Sequence, residues 1–188
     1  MPGLHLNIPR PERVRRELPL RACAGVMVLN RDGLVWTGRR LPKWARPGRH
    51  IWQMPQGGID KGEDALEAAL RELAEETGIT SVDVIGEYPG WLTYELPPEL
   101  IGVALKGRYR GQRQRWFVLR FWGDESEIDI GAKAGVKAEF DRWCWRPMPE
   151  VAALTAPFKR PVYEALCERF GPLTQPSRPA IFRTGLGL

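Results

Sequence analysis

Residues 57–79 read Gly57-Gly-Ile-Asp-Lys-Gly-Glu-Asp-Ala-Leu-Glu-Ala-Ala-Leu-Arg-Glu-Leu-Ala-Glu-Glu-Thr-Gly-Ile79, and this stretch decides how the rest is read. From Asp64 onward, Leu66, Ala69, Leu70, Leu73 and Thr77 recur at three- and four-residue spacing, which predicts a helix with one apolar stripe. Gly78 stops it, because glycine accepts the left-handed conformation that ends helices. At about 100° per residue, Glu72, Glu75 and Glu76 fall on an arc opposite the stripe, so the pattern turns three carboxylates outward together. Like charges so spaced destabilise a helix by about 0.2–0.5 kcal/mol per pair. A hard divalent cation removes that penalty, and Mg²⁺ is typically held by one or two carboxylates together with phosphates and water. Arg71 lies one turn before Glu75 and can pair with it. Glu63 stands at the helix start, where a carboxylate either caps the positive end of the dipole or reaches a metal. Taken alone, the acidic run also suits a solvated face.

Outward from this helix, residues 22–29 and 34–40 read as two strands joined at Asn30-Arg-Asp-Gly33, a hairpin signal, with the first strand beside the helix. Residues 51–58 read as a short strand running into two glycines, which let the backbone turn tightly near phosphates or a metal. Residues 82–88, 91–96, 114–123 and 139–145 read as further strands, and 100–112 as a basic loop before the third of these. Residues 149–155 and 160–170 read as closing helices, the latter from Val162, Leu166 and Phe170. Strands alternating with well-separated helices predict an α/β sandwich.

The 188 residues suit one domain, expected over 20–170, with a flexible leader over 1–19 and a flexible tail over 171–188. Cys23, Cys144 and Cys167 are widely spaced with no Cys-x-x-Cys, a pattern that suggests neither a disulfide framework nor a zinc site. No apolar run approaches the roughly 18 residues of a membrane span, and no secretory signal is present, so a soluble cytoplasmic protein is expected. The net charge of +5 favours polyphosphate or nucleic acid as partner.

Gly57, five residues, Glu63, seven residues, then Arg71-Glu-Leu-x-Glu-Glu-x-Gly-Ile79 match at every position the pattern of the Nudix hydrolases, which the sequence therefore resembles. The resemblance implies an α/β/α sandwich with a mixed central sheet and Mg²⁺- or Mn²⁺-dependent hydrolysis of a nucleoside diphosphate linked to another group. It also implies metal contacts from Glu72, Glu75, Glu76 and Gly57, with any of these carboxylates or a later one as the base, and Arg71 among the catalytic residues. Beyond that box the chain is similar to the bacterial RNA pyrophosphohydrolases and the related dinucleoside polyphosphate hydrolases. This rests on Trp52-Gln-Met-Pro-Gln-Gly-Gly-Ile59, Trp91-Leu-Thr-Tyr-Glu-Leu-Pro97, Gly111-Gln-Arg-Gln-Arg-Trp-Phe117, Glu139-Phe-Asp-Arg-Trp-Cys-Trp145 and Phe158-Lys-Arg160.

Carried over residue by residue, the similarity implies that Glu139 joins the metal site, Arg21 and Arg40 contact phosphate or the first base, Phe158 stacks on a base, and Lys159 lies beside that base or the phosphates. On residues 112–115, alternation sends one pair to the cleft and the other to solvent, and the resemblance favours Gln114 in the cleft. Residues 42–49 differ in length and sequence from better-known relatives, and Ile51 replaces a small polar residue, which leaves base preference open. Three functions follow: removal of phosphates from 5′-triphosphorylated or diphosphorylated RNA, hydrolysis of a dinucleoside polyphosphate such as diadenosine tetraphosphate, or an idle domain that only binds nucleotide. The complete box argues against the last.

Overall fold

The computed structural model describes residues 17–41, 51–132, 135 and 137–174. Residues 1–16 of the expected leader, the divergent segment 42–49 and residues 175–188 of the expected tail lie outside the described residues.

Strand β1 (Leu20–Leu29) turns into β2 (Val35–Arg40) as the sequence predicts. Asn30 Oδ1 accepts the backbone N–H groups of Asp32 at 3.0 Å and Leu34 at 2.9 Å, and Gly33 takes a φ of 77° that closes the turn. Three short strands are β3 (Trp52–Gln53), β4 (Gln56–Gly58) and, beyond the box helix, β6 (Leu92–Glu95). Strands β5 (Val82–Glu87), β7 (Gly111–Phe121) and β8 (Phe140–Arg146) complete a mixed sheet of order β3-β2-β1-β7-β5. Strand β1 lies parallel to β7 from Leu20↔Gly111 to Leu29↔Arg120, while its opposite edge takes β4 at one end and β2 at the other.

Helix α1 (Ala65–Thr77) covers one face of the sheet, packing Ala68, Ala69 and Leu73 on Ala24, Val26, Val28, Phe117 and Leu119. Helices α2 (Met148–Leu154) and α3 (Arg160–Phe170) cover the other, where Val151, Val162, Tyr163 and Leu166 pack with Met27, Leu29, Trp116 and Val118. This is the expected α/β/α sandwich.

Several local expectations change. The α1 stripe is rotated, so that Leu70 is exposed and Glu76 is buried, because β4 lies against the carboxylate side of the helix. The N-cap is Asp64, whose Oδ1 accepts the Leu66 N–H at 2.8 Å, so Glu63 does not cap α1. Gly78 closes the helix as expected, at φ 77°, donating to the Ala74 carbonyl at 3.0 Å. The stretch expected as a basic loop is entered through a 3₁₀ turn (Pro98–Leu100) and holds a tight turn at Ala104–Gly107 in which Leu105 and Lys106 take left-handed backbone, and β7 starts earlier, at Gly111, because Gly111–Gln114 already pair with β6. Residues 171–174, expected in the tail, form a 3₁₀ turn that continues from α3. No helix among the described residues is long and apolar enough to cross a membrane.

Candidate active site

One cleft of about 330 Å³ opens where the C-terminal half of α1, the turn from β4 and the sheet meet the start of α3. It brings together Arg21, Arg40, Gly57, Glu72, Glu76, Glu139, Phe158 and Lys159 of the residues named from sequence. It does not bring in Glu75, Arg71, Glu63 or Gln114.

The acidic wall is built from α1 and β8. Gly57 presses so closely on Glu72 that a Cβ there would lie 1.8 Å from the Glu72 carboxyl carbon, so any side chain at that position would push the carboxylate out of place. Burial raises the Glu72 carboxyl above its ordinary range despite the pull of Arg71. Glu76 is the deepest of the set. Its Oε2 accepts the Gln56 backbone N–H at 3.2 Å, and burial, followed by the charges of Glu72 and Glu139, pushes its carboxyl well above the usual value. Glu139 enters from the residue before β8 and pairs with Arg40 Nη2 at 3.2 Å. Among the described residues no three His, Cys, Asp or Glu side chains converge closely enough to hold an ion as they stand. Each cleft carboxylate is instead drawn to a neighbour: Glu72 to Arg71, Glu76 to Gln56 and Glu139 to Arg40. Three carboxylates on one wall, with a carbonyl-bearing backbone cradled against one of them, form an all-oxygen donor set suited to a hard divalent cation.

Arg71 works from behind that wall. Its Nε and Nη2 grip Glu63 Oε1 and Oε2 at 2.7 and 2.9 Å, Nη2 donates to the Gly58 carbonyl at 2.9 Å, and Nη1 donates to Glu72 Oε1 at 3.0 Å. Arg71 therefore ties the turn before α1 to the helix and aims Glu72. The grip holds the Glu63 carboxyl down at about 2. Glu75 lies outside the cleft at 3.6 Å from Arg71 Nη1, the pairing the spacing predicts.

The basic wall faces the acidic one. Arg21 lies across Gly58, where a Cβ would come within 2.2 Å of its Nη2. Lys159, on the 3₁₀ turn before α3, is buried, with Nζ donating to Gln53 Oε1 at 3.2 Å and standing 5.5 Å from the Tyr94 ring centre. Burial, followed by the Arg40 charge, lowers its ammonium to about 7. Phe158 lines the cleft and tilts on Tyr94 at 5.4 Å between ring centroids, half-buried and with a face to offer.

On β7 the alternation holds, with Gln112 and Gln114 inward and Arg113 exposed. Gln112 is the one that lines the cleft, while Gln114 sits behind it, nearer the core. Gln53, Gln56, Tyr94, Leu96, Leu100 and Leu105 also line the cleft and were not singled out from sequence. Gln53, Gln56, Tyr94 and Leu96 lie inside the blocks that carry the resemblance, and those blocks are the signal that would have found them.

A mixed sheet between helices, with a box helix presenting carboxylates to a cleft faced by cations, defines a hydrolase of the phosphoanhydride-cleaving class. The NUDIX domain family matches residues 19–166, and the chain belongs to that family. It is 52% identical over 176 residues to a protein of Mesorhizobium japonicum named RNA pyrophosphohydrolase, covering 89% of this chain and 100% of that one. It is 55% identical over 163 residues to a protein of the same name from Rhizobium meliloti, covering 85% and 98%. Its fold is that of solved structures with little sequence in common. A MutT protein from Methanosarcina mazei superposes with a TM-score of 0.59 at 18% identity, covering 81% of this chain and 96% of that one. The E. coli dihydroneopterin triphosphate pyrophosphohydrolase superposes with a TM-score of 0.58 at 23% identity, covering 80% and 99%.

Proposed function

We propose that this chain hydrolyses the phosphoanhydride at the 5′ end of RNA, converting a triphosphate or diphosphate end to a monophosphate and so starting mRNA decay in the cytoplasm. The observation that carries the reading is one cleft lined by the carboxylates Glu72, Glu76 and Glu139 together with the cations Arg21, Arg40 and Lys159. Relatives more than half identical over nearly their whole length, named for RNA, supply the substrate class.

In this reading residues 20–170 form the catalytic unit, and Glu72, Glu76 and Glu139, with the backbone at Gly57, would hold Mg²⁺ or Mn²⁺, joined by Glu75, which stands outside the cleft beside Arg71. Such an ion, when bound, would neutralise phosphate charge and lower the pKa of water. Arg21, Arg40 and Lys159 bind the phosphate oxygens and hold the chain of phosphates in line for displacement. Arg71 keeps Glu72 oriented, and Phe158 stacks on a base next to the phosphates. Water adds to one phosphorus, the bridging oxygen leaves, and the products are a 5′-monophosphate end with pyrophosphate or phosphate.

The test compares kcat/KM of the purified protein in Mg²⁺ on RNA bearing a 5′-triphosphate and a few unpaired nucleotides with that on diadenosine tetraphosphate. A preference for RNA is expected. A preference for the dinucleotide makes the chain a dinucleoside polyphosphate hydrolase and overturns the substrate assignment.

A further inference from the structure

Behind the cleft lies a chain of side-chain amides rooted in an indole. Trp116 is fully buried and locked in place: its ring lies over Gly25, where a Cβ would come within 2.8 Å, and meets Tyr163 edge-on at 5.9 Å. Its Nε1 donates to Gln114 Oε1 at 3.1 Å. An indole N–H only donates, so the oxygen of Gln114 must face Trp116 and its NH₂ must point the other way. That NH₂ donates to Gln56 Oε1 at 3.1 Å and to Gln112 Oε1 at 3.0 Å, and Gln56 Nε2 donates to Gln112 Oε1 at 3.3 Å.

The consequence is a fixed polarity. Gln112 Oε1 receives two donors, which fills both of its lone pairs. The NH₂ of Gln112 is left as the group turned to the cleft that Gln112 lines, and among the described residues it has no acceptor. Turning any one amide over would set donor against donor or acceptor against acceptor, and at the buried Gln114 and Trp116 nothing else is there to repair it.

We propose that Trp116 and Gln114 are positioning residues: the indole, relayed through Gln114, fixes Gln112 so that its NH₂ meets a phosphate oxygen of the substrate. This rests on the reading of the cleft as a polyphosphate site. It adds one neutral donor group to the cations that line the same cleft.

The experiment is a double-mutant cycle read as binding of inorganic pyrophosphate to the full chain in Mg²⁺ by calorimetry. Gln112→Met weakens binding about tenfold or more, as expected for loss of a hydrogen bond to a charged oxygen. Gln114→Met weakens it by a similar factor, and the double variant is no weaker than Gln112→Met alone, because Gln114 acts only through Gln112. Trp116→Phe provides a second cycle should Gln114→Met fold poorly, and the Gln112 side-chain NH₂ resonance moves on pyrophosphate addition in the parent protein. Multiplying effects in both cycles, an unmoved resonance, or no pyrophosphate binding by the parent protein overturns the proposal. Because the probe is inorganic, a chain inert on RNA but with the cycle intact would sink the RNA assignment and leave the relay standing.

Discussion

Replacing Lys159 with methionine keeps the length of the side chain and removes its charge, and the resulting stability change should depend steeply on pH. Burial, followed by Arg40, depresses the ammonium from 10.5 to about 7. At about 1.4 kcal/mol per pH unit this is a penalty of about 5 kcal/mol at most, and about 3 kcal/mol once cleft water screens the charge. The sign follows from proton binding. Between the folded and unfolded values the unfolded chain holds the extra proton, so the penalty is complete below pH 7 and is relieved as pH rises toward 10.5. Against it stands the bond to Gln53, whose buried oxygen is left unpaired by the substitution at a cost of about 1–3 kcal/mol. Lys159→Met should therefore be more stable than the parent by up to about 2 kcal/mol at pH 6. That advantage should shrink by about 2–3 kcal/mol by pH 9.5, ending neutral or reversed. Urea denaturation in EDTA at pH 6, 7.5 and 9.5 measures it. A difference that stays constant across these pH values would refute the reasoning, and would mean that the ammonium is not held in a place hostile to charge.

Two further outcomes follow from the same cleft. Glu76→Gln should lower kcat/KM beyond the roughly 100-fold that loss of an outer partner of a metal costs, and unchanged activity in Mg²⁺ would remove Glu76 from the site. In EDTA the same variant should melt at or above the parent temperature at neutral pH, since the penalty on its raised carboxyl grows as pH rises; that gain should vanish below pH 4.5. Phe158→Ala should raise KM for RNA about tenfold through lost stacking, with a small change in melting temperature because the ring is only half-buried. A drop of many degrees would assign Phe158 to the core instead.

What could be read from sequence was what neighbouring residues decide among themselves. The Asn30–Gly33 turn, the Gly78 stop and the spacing of Ala69 and Leu73 are local, and each is where it was expected. Glu76 shows the limit. The expected arc opposite the stripe holds for Glu75 but not for Glu76, which at about 100° per residue stands only about 20° from Ala69, and β4, which arrives from another part of the chain, buries it there. Gln112 and Gln114 show a second limit, since alternation puts both on one face and cannot say which stands at the mouth and which behind. Asp64 rather than Glu63 caps α1 by a difference of one residue, settled by Arg71 taking both oxygens of Glu63. The opposition of Arg21 to the acidic wall had no local signal, and only the family resemblance pointed to it.

The parallel pairing of β1 with β7 sets the order in which this protein can come into being. Leu20 meets Gly111 across roughly ninety intervening residues, and each later rung spans as many. A nascent chain can make the β1–β2 hairpin and the turns of α1 early, but the strand at the centre of the sheet has no partner on that edge until β7 has left the ribosome. At about 5–20 residues per second this leaves an apolar strand waiting for several seconds, exposed to chaperones and to other chains. Closing so long a loop before any reward also makes refolding slow for a protein of this size. Fragments ending before Phe121 should accumulate as aggregates rather than as smaller folded units.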